Sequence, residues 1–175
     1  MLPATVLRFA GSAERLLNRL VFVGADCCDD VLDARPVAAR QPVSEVRALA
    51  TVAPERLIPE LELSGIRRVS RVGPIDVFSS ADGNVLVWIE PSIGFGDPAD
   101  EMAREYATLL TRTVALSGTV AVRVASPTAQ VALWWREHAR SGQPVWDSPA
   151  AETVVELVAR SACGPQAMRT APAEL

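Results

Sequence analysis

The chain has 175 residues, 49% hydrophobic and 22% charged, which is the composition of an ordinary globular domain rather than a disordered segment. A net charge of −4 argues against broad non-specific binding to phosphate backbones. Lysine is absent, which excludes a P-loop lysine and a Schiff-base lysine, and a single histidine, His138, excludes a histidine-based zinc centre.

Val6, Phe9, Ala13, Leu16, Leu17 and Leu20 recur at helical spacing and predict a first helix. Leu20 to Val23 is a short β-rich run that stops at Gly24, as a buried strand ending in a tight turn does. Asp26 opens a short helix through Leu32, and Asp33 to Pro42, which carries Pro36 and Pro42, reads as a loop. Val43 to Val52 predicts a second strand. Pro54 suits the first turn of a helix that stops at Gly65. Ile66 to Val72 and Ile75 to Ser79 read as strands joined through Gly73-Pro74. The turn Ala81-Asp82-Gly83-Asn84 leads into a strand from Val85 to Ile89. Asp97-Pro98 starts a helix to about Leu110, with Asp100 and Glu101 in the turn where the helix dipole favours acids. Thr113 to Leu116 and Val120 to Val124 flank Ser117-Gly118 as a hairpin. Ser126-Pro127 opens a helix through about Arg140, and Ser148-Pro149 a last one through about Arg160.

The pattern is an α+β fold: a mixed β-sheet flanked by helices, with a helical C-terminal section. Residues 1–163 read as one domain and the Pro/Ala-rich residues 164–175 as a flexible tail. Cys27, Cys28 and Cys163 fit no zinc spacing and read as small buried residues in a reducing compartment. Arg8, Glu14, Arg15 and Arg19 interrupt any signal-peptide core, and no apolar run reaches the ~20 residues needed to cross a bilayer. The expected location is the cytoplasm.

The order of the motifs is more informative than any one of them. A strand ends in Gly24-Ala25; a later strand carries Ser44-Glu45-Val46-Arg47; a helix follows; then a strand carries Ile75-Asp76-Val77. Arg123-Val124-Ala125-Ser126-Pro127 makes a strand-to-helix step, followed by Ala132-Leu133-Trp134, Arg140-Ser141-Gly142 and a closing segment from Asp147 to Leu157. This order resembles the minimal nucleotidyltransferases of the DNA polymerase β-like superfamily, especially the bacterial abortive-infection and toxin–antitoxin type, over about Leu20 to Val158. The resemblance implies a nucleotidyltransferase-like mixed sheet. It also implies a glycine turn close to the nucleotide phosphates (Gly24, Ala25), and carboxylates that hold two divalent ions for an in-line displacement.

The chemical positions depart from the family pattern. The second residue of the Gly-Gly or Gly-Ser pair is Ala25, the first metal Asp is Glu45, the second is Arg47, and only the third acid, Asp76, matches; Trp134 stands where lysine is usual. Arginine cannot ligate a metal. Exchanging a carboxylate for a guanidinium weakens ion binding by several kcal/mol at an effective dielectric of about 20. The expectation is a degenerate site at Glu45 and Asp76, with Arg47 at a lost ligand position, no metal ligands and no cofactor. Two readings of the site stay open: Glu45, Arg47 and Asp76 as an internal salt bridge, or Arg47 with Gly24 and Ala25 binding a nucleotide phosphate without metal.

The expected function is therefore that of a binding, regulatory or interaction protein. The alternative is a divergent Mg2+-dependent nucleotidyltransferase that uses Glu45, Asp76 and one of Asp26, Asp29 or Asp30 as ligands and transfers NMP from an NTP to RNA or a protein hydroxyl. Asp26, Asp29 and Asp30 otherwise read as favourable helix N-terminal charge, and Arg67, Arg68 and Arg71 as a solvated face. Trp134 and Trp135 point about 100° apart on a helix, so one of them can meet a protein partner or a second copy of the chain, with Trp88 and Trp146 as further contributors. His138 lies one turn beyond Trp134 and is placed to stack on it. No membrane association is expected.

Overall fold

A computed structural model of the chain describes residues 4–24, 45–80, 83, 85–92, 97–116 and 120–142. The apolar runs become seven strands: β1 (Leu20–Val23), β2 (Glu45–Ala50), β3 (Arg67–Val72), β4 (Ile75–Ser79), β5 (Leu86–Pro91), β6 (Thr111–Ala115) and β7 (Ala121–Ala125). They pair in one mixed sheet in the order β3-β4-β5-β2-β1-β7-β6. β2 runs parallel to β5 and β1 parallel to β7, and the other neighbours are antiparallel. Among the described residues four α-helices flank the sheet: α1 (Ala4–Ser12), α2 (Pro54–Leu63), α3 (Pro98–Leu109) and α4 (Pro127–Ser141).

Strand alternation sends successive side chains to opposite faces and so sorts the sequence into two layers. Phe22, Val46, Ala48, Val87, Ile89, Phe78, Val122 and Val124 face Val6, Phe9 and Ala10 of α1 and Leu57 and Leu61 of α2. The intervening residues Val21, Val23, Leu49 and Ala125 face Ala107 of α3 and Ala129 of α4. The first layer holds the large side chains Phe9, Phe22 and Phe78, with Phe9 and Phe22 packed edge to face at 6.0 Å.

The expected first helix is split. Its regular part stops at Ser12, and a 3-10 turn (Glu14–Arg19) carries Leu16 and Leu17 into the core. Gly11-Ser12, two poor helix formers, stands at the break. Pro98 and Pro127 occupy first-turn positions, and Asp97 and Ser126 cap their helices by accepting backbone N–H bonds from Ala99 and Ala129. The helices expected from Asp26 and from Ser148, the three cysteines, Trp146 and most of the Ala81–Asn84 turn lie outside the described residues.

Candidate functional site

The site lies on the α3/α4 face of the sheet, where β1, β2 and β5 run side by side. β1 stops at Val23 because Gly24 turns the chain with φ 110°, a backbone angle that side-chain-bearing residues rarely adopt. Val23 pairs with Arg47, so the glycine turn stands beside Arg47. Ala25 lies outside the described residues. Arg47 in turn pairs with Trp88 on β5, and Leu49 with Glu90. Glu45, Arg47, Trp88 and Glu90 therefore project to the same face.

The Arg47 guanidinium sits between two carboxylates. Its Nη2 donates to Glu90 Oε1 at 2.6 Å and to Glu137 Oε1 at 2.5 Å, and its Nη1 donates to Glu137 Oε2 at 3.3 Å. Arg104 of α3 approaches the other oxygen of Glu90 at 3.3 Å. Glu90 is buried at 4% exposure; a carboxylate that deep persists as an anion only when paired, and it is paired on both oxygens. Burial opposes the charge on Arg47, but Glu137 and Glu90 outweigh it and raise the guanidinium pKa, so Arg47 is a fixed cation.

Asp76 does not join this group. β5 lies between β4 and β2, and Asp76 pairs with Ile89, which puts it on the α1/α2 face. There it is buried and accepts a bond from Arg68 at 3.3 Å across the β3–β4 hairpin. The expected Glu45–Arg47–Asp76 salt bridge is therefore replaced by Glu90–Arg47–Glu137. Alternation explains the correction: on β5 the positions that share a face with Arg47 are Leu86, Trp88 and Glu90, and of these only Glu90 is acidic. Glu45 begins β2 on the correct face and is exposed.

These residues do not fit a divalent metal. Arg47 stands between the acids a metal would need, and Glu90 and Glu137 already spend their oxygens on guanidinium groups. Among the described residues, no group of three His, Cys, Asp or Glu side chains could hold a metal ion. Asp26, Asp29 and Asp30 lie outside the described residues.

Aromatic side chains line the surroundings. The indole N–H groups of Trp88, across from Arg47, and of Trp134, one turn before Glu137, are out of contact with solvent and have no acceptor among the described residues. Such a buried donor costs about 1–3 kcal/mol. His138 stacks on Trp134 at 4.5 Å, while Trp135 points outward at 47% exposure. Arg136, on the same helix, ties α4 to the start of α3 through Asp97 at 2.9 Å and Asp100 at 2.7 Å. Arg67, Arg68 and Arg71 lie on β3, an edge strand exposed along its whole length.

Sequence reasoning missed Glu90, Glu137 and Arg104. A glutamate ending the apolar run Val85–Ile89 is a signal for a buried, paired acid. Arg104 and Glu137 look like ordinary helix-surface charges in the sequence.

No protein-family model matches the chain, and no curated protein does. Solved structures do. The solution structure of the antibiotic-resistance factor ANT(2'')-Ia matches with a TM-score of 0.57 and 17% identity, over 95% of this chain and 86% of that one. The crystal structure of ANT(2'')-Ia in complex with adenylyl-2''-tobramycin matches with a TM-score of 0.56 and 16% identity, over 95% of this chain and 91% of that one. An antigenic nucleotidyltransferase-like protein from Paracoccidioides brasiliensis matches with a TM-score of 0.53 and 18% identity, over 97% of this chain and 87% of that one. At these identities the likeness shows the fold: the chain has a nucleotidyltransferase fold. None of its described helices is long and apolar enough to cross a membrane.

Proposed function

We propose that this chain is a nucleotidyltransferase-fold protein that has lost metal-dependent nucleotidyl transfer and acts by binding, as a regulatory or interaction protein of the abortive-infection or toxin–antitoxin type. The observation that carries the reading is the Arg47 guanidinium held between Glu90 and Glu137 on the face where the fold would gather metal-binding carboxylates. Two-metal transfer needs acids free to hold hard cations at 2.0–2.6 Å. Here a permanent cation repels such ions and neutralises the carboxylates that would bind them. Glu45 alone cannot assemble a two-ion site. The outward Trp135 gives α4 an aromatic contact for a protein partner.

The test is a transfer assay with the four labelled ribonucleoside triphosphates, magnesium, and RNA or cell protein as acceptor. The expected result is no incorporation above that of a heat-inactivated control. Magnesium-dependent incorporation that Glu45→Ala or Glu90→Gln abolishes would overturn the reading and establish the divergent enzyme.

A further inference from the structure

We propose that β3 is a docking edge for an extended acidic segment of another protein, which adds to the sheet as a further strand. In the strand order β4 and β5 separate β3 from β2 and Arg47, so this surface is distinct from the charged site and stands whether or not transfer is lost.

The backbone supplies the template. β3 ends the strand order, and among the described residues it pairs only with β4. An edge strand leaves one row of N–H and C=O groups without a ladder partner, and an extended peptide can pair with that row. All six residues of β3 are exposed, with Val69 at 55% and Val72 at 53%. That length gives about 20 Å of edge, enough for an ordinary strand.

The side chains choose the partner. Arg67, Arg68 and Arg71 give β3 three cations and no acid, in a chain whose net charge is −4. Simple alternation would group Arg67 with Arg71. A register shift between Arg68 and Ser70 regroups them. Arg68 stands opposite Phe78 and Arg71 opposite Asp76, two apart on β4, so both lie on the α1/α2 face, while Arg67, opposite Ser79, lies on the other. Of the three, only Arg68 has a carboxylate partner among the described residues, Asp76 at 3.3 Å; Arg71 donates its Nε to the Gly73 carbonyl at 3.2 Å. Each face of the edge therefore carries an arginine that an acidic side chain on the incoming strand can meet.

The same charges oppose a second copy. Centred antiparallel pairing of two β3 strands sets Arg68 against Arg71 twice, and in-register parallel pairing sets each arginine beside itself. Like charges directly opposite destabilise a strand pair. A nucleic acid would answer the charges but has no peptide N–H and C=O row to answer the backbone. An extended acidic peptide answers both.

The experiment adds a capped peptide of alternating glutamate and valine, long enough to span β3, to the full chain and follows amide hydrogen exchange. The comparisons are the same peptide N-methylated at every residue, a peptide with lysine for glutamate, and polyuridylate. The acidic peptide should bind saturably, slow exchange at the β3 amides, and weaken with added salt as exposed charges are screened. The N-methylated and lysine peptides should not bind. The double variant Arg67→Glu/Arg71→Glu reverses two exposed charges and leaves the Arg68–Asp76 pair in place, so it should weaken binding about tenfold. If that variant melts early, the N-methylated peptide decides the matter on wild type.

The proposal is overturned if the acidic peptide does not bind at millimolar concentration, if N-methylation or a folded double variant leaves its affinity unchanged, or if protection falls elsewhere than β3. Polyuridylate binding more tightly than the peptide at β3 would make the edge a nucleic-acid surface instead, and a dimer that the double variant loses would make it a self-association surface. None of these outcomes bears on whether the chain transfers nucleotides.

Discussion

The two faces of the sheet are built on different physics. The α1/α2 face is closed by Phe9, Phe22, Phe78, Leu57 and Leu61 in one continuous apolar layer. The α3/α4 face has a small cluster of Val, Leu and Ala side chains, and beside it guanidinium and carboxylate groups from β2, β5, α3 and α4 meet. Burial drives the first face, which also holds the buried Asp76 paired with Arg68. The second depends on each charge having its partner, because a buried charge left alone costs far more than the pair contributes. The chain thus closes one side of the sheet mainly by apolar burial and the other mainly by charge pairing.

The largest expected effect breaks the apolar face. Phe22→Ala removes a fully buried ring in contact with Phe9 and should destabilise the fold by about 3–5 kcal/mol in urea unfolding, with no effect that is specific to the site. Glu90→Gln should come next. It leaves Arg47 and Arg104 facing a neutral amide and should cost about 3 kcal/mol, less than a fully enclosed pair because Arg47 is 41% exposed. A Glu90→Gln protein as stable as wild type would mean that the polar face is not held by its charges.

Gly24→Ala sharpens the comparison at the junction of the two faces. No described residue lies within 4 Å of the missing Cβ, and the φ of 110° should cost about 1–2 kcal/mol, read as a lowered urea midpoint. Ser126→Ala removes the cap of α4, which carries Glu137 and Arg136, and should cost about 1 kcal/mol.

The smallest effect concerns pH. The backbone N–H of Ala99, helped by Arg136, holds the Asp97 carboxyl below its ordinary value. A carboxyl with a lowered folded pKa stabilises above its unfolded pKa and loses that contribution as pH falls through the folded one. The Asp97–Arg136 pair should therefore persist until the pH falls below the usual carboxylate range. Asp97→Asn should flatten the acid limb of a melting-temperature profile. Arg47 titrates at no accessible pH, so the pairing at the site should not respond to alkaline conditions.

Most of the fold is legible in the sequence. Leu20–Val23 becomes β1 without change, Asp97-Pro98 and Ser126-Pro127 start their helices, and the Gly73-Pro74 step joins β3 to β4, because each of these signals is local. The site is only half legible. Glu45 and Arg47 are two apart on one strand and share a face by simple alternation, so the sequence can pair them. Asp76 matches the expected hydrophobic-Asp-hydrophobic pattern, but the strand order β4-β5-β2 and the pairing with Ile89 send it to the opposite face. Neither fact is encoded locally. The same holds for Glu137, which lies 90 residues from Arg47 in sequence and reaches it only because α4 packs over β2.

The central claim is that a guanidinium stands where the fold would hold metal ions. A crystal structure of the chain grown with Mn2+ and a non-hydrolysable ATP analogue, with anomalous scattering to locate the metal, tests it most directly. The account predicts Arg47 still bonded to Glu90 and no manganese within coordinating distance of Glu45 or Glu90. Manganese bound by those two carboxylates, with Arg47 swung aside, would contradict it.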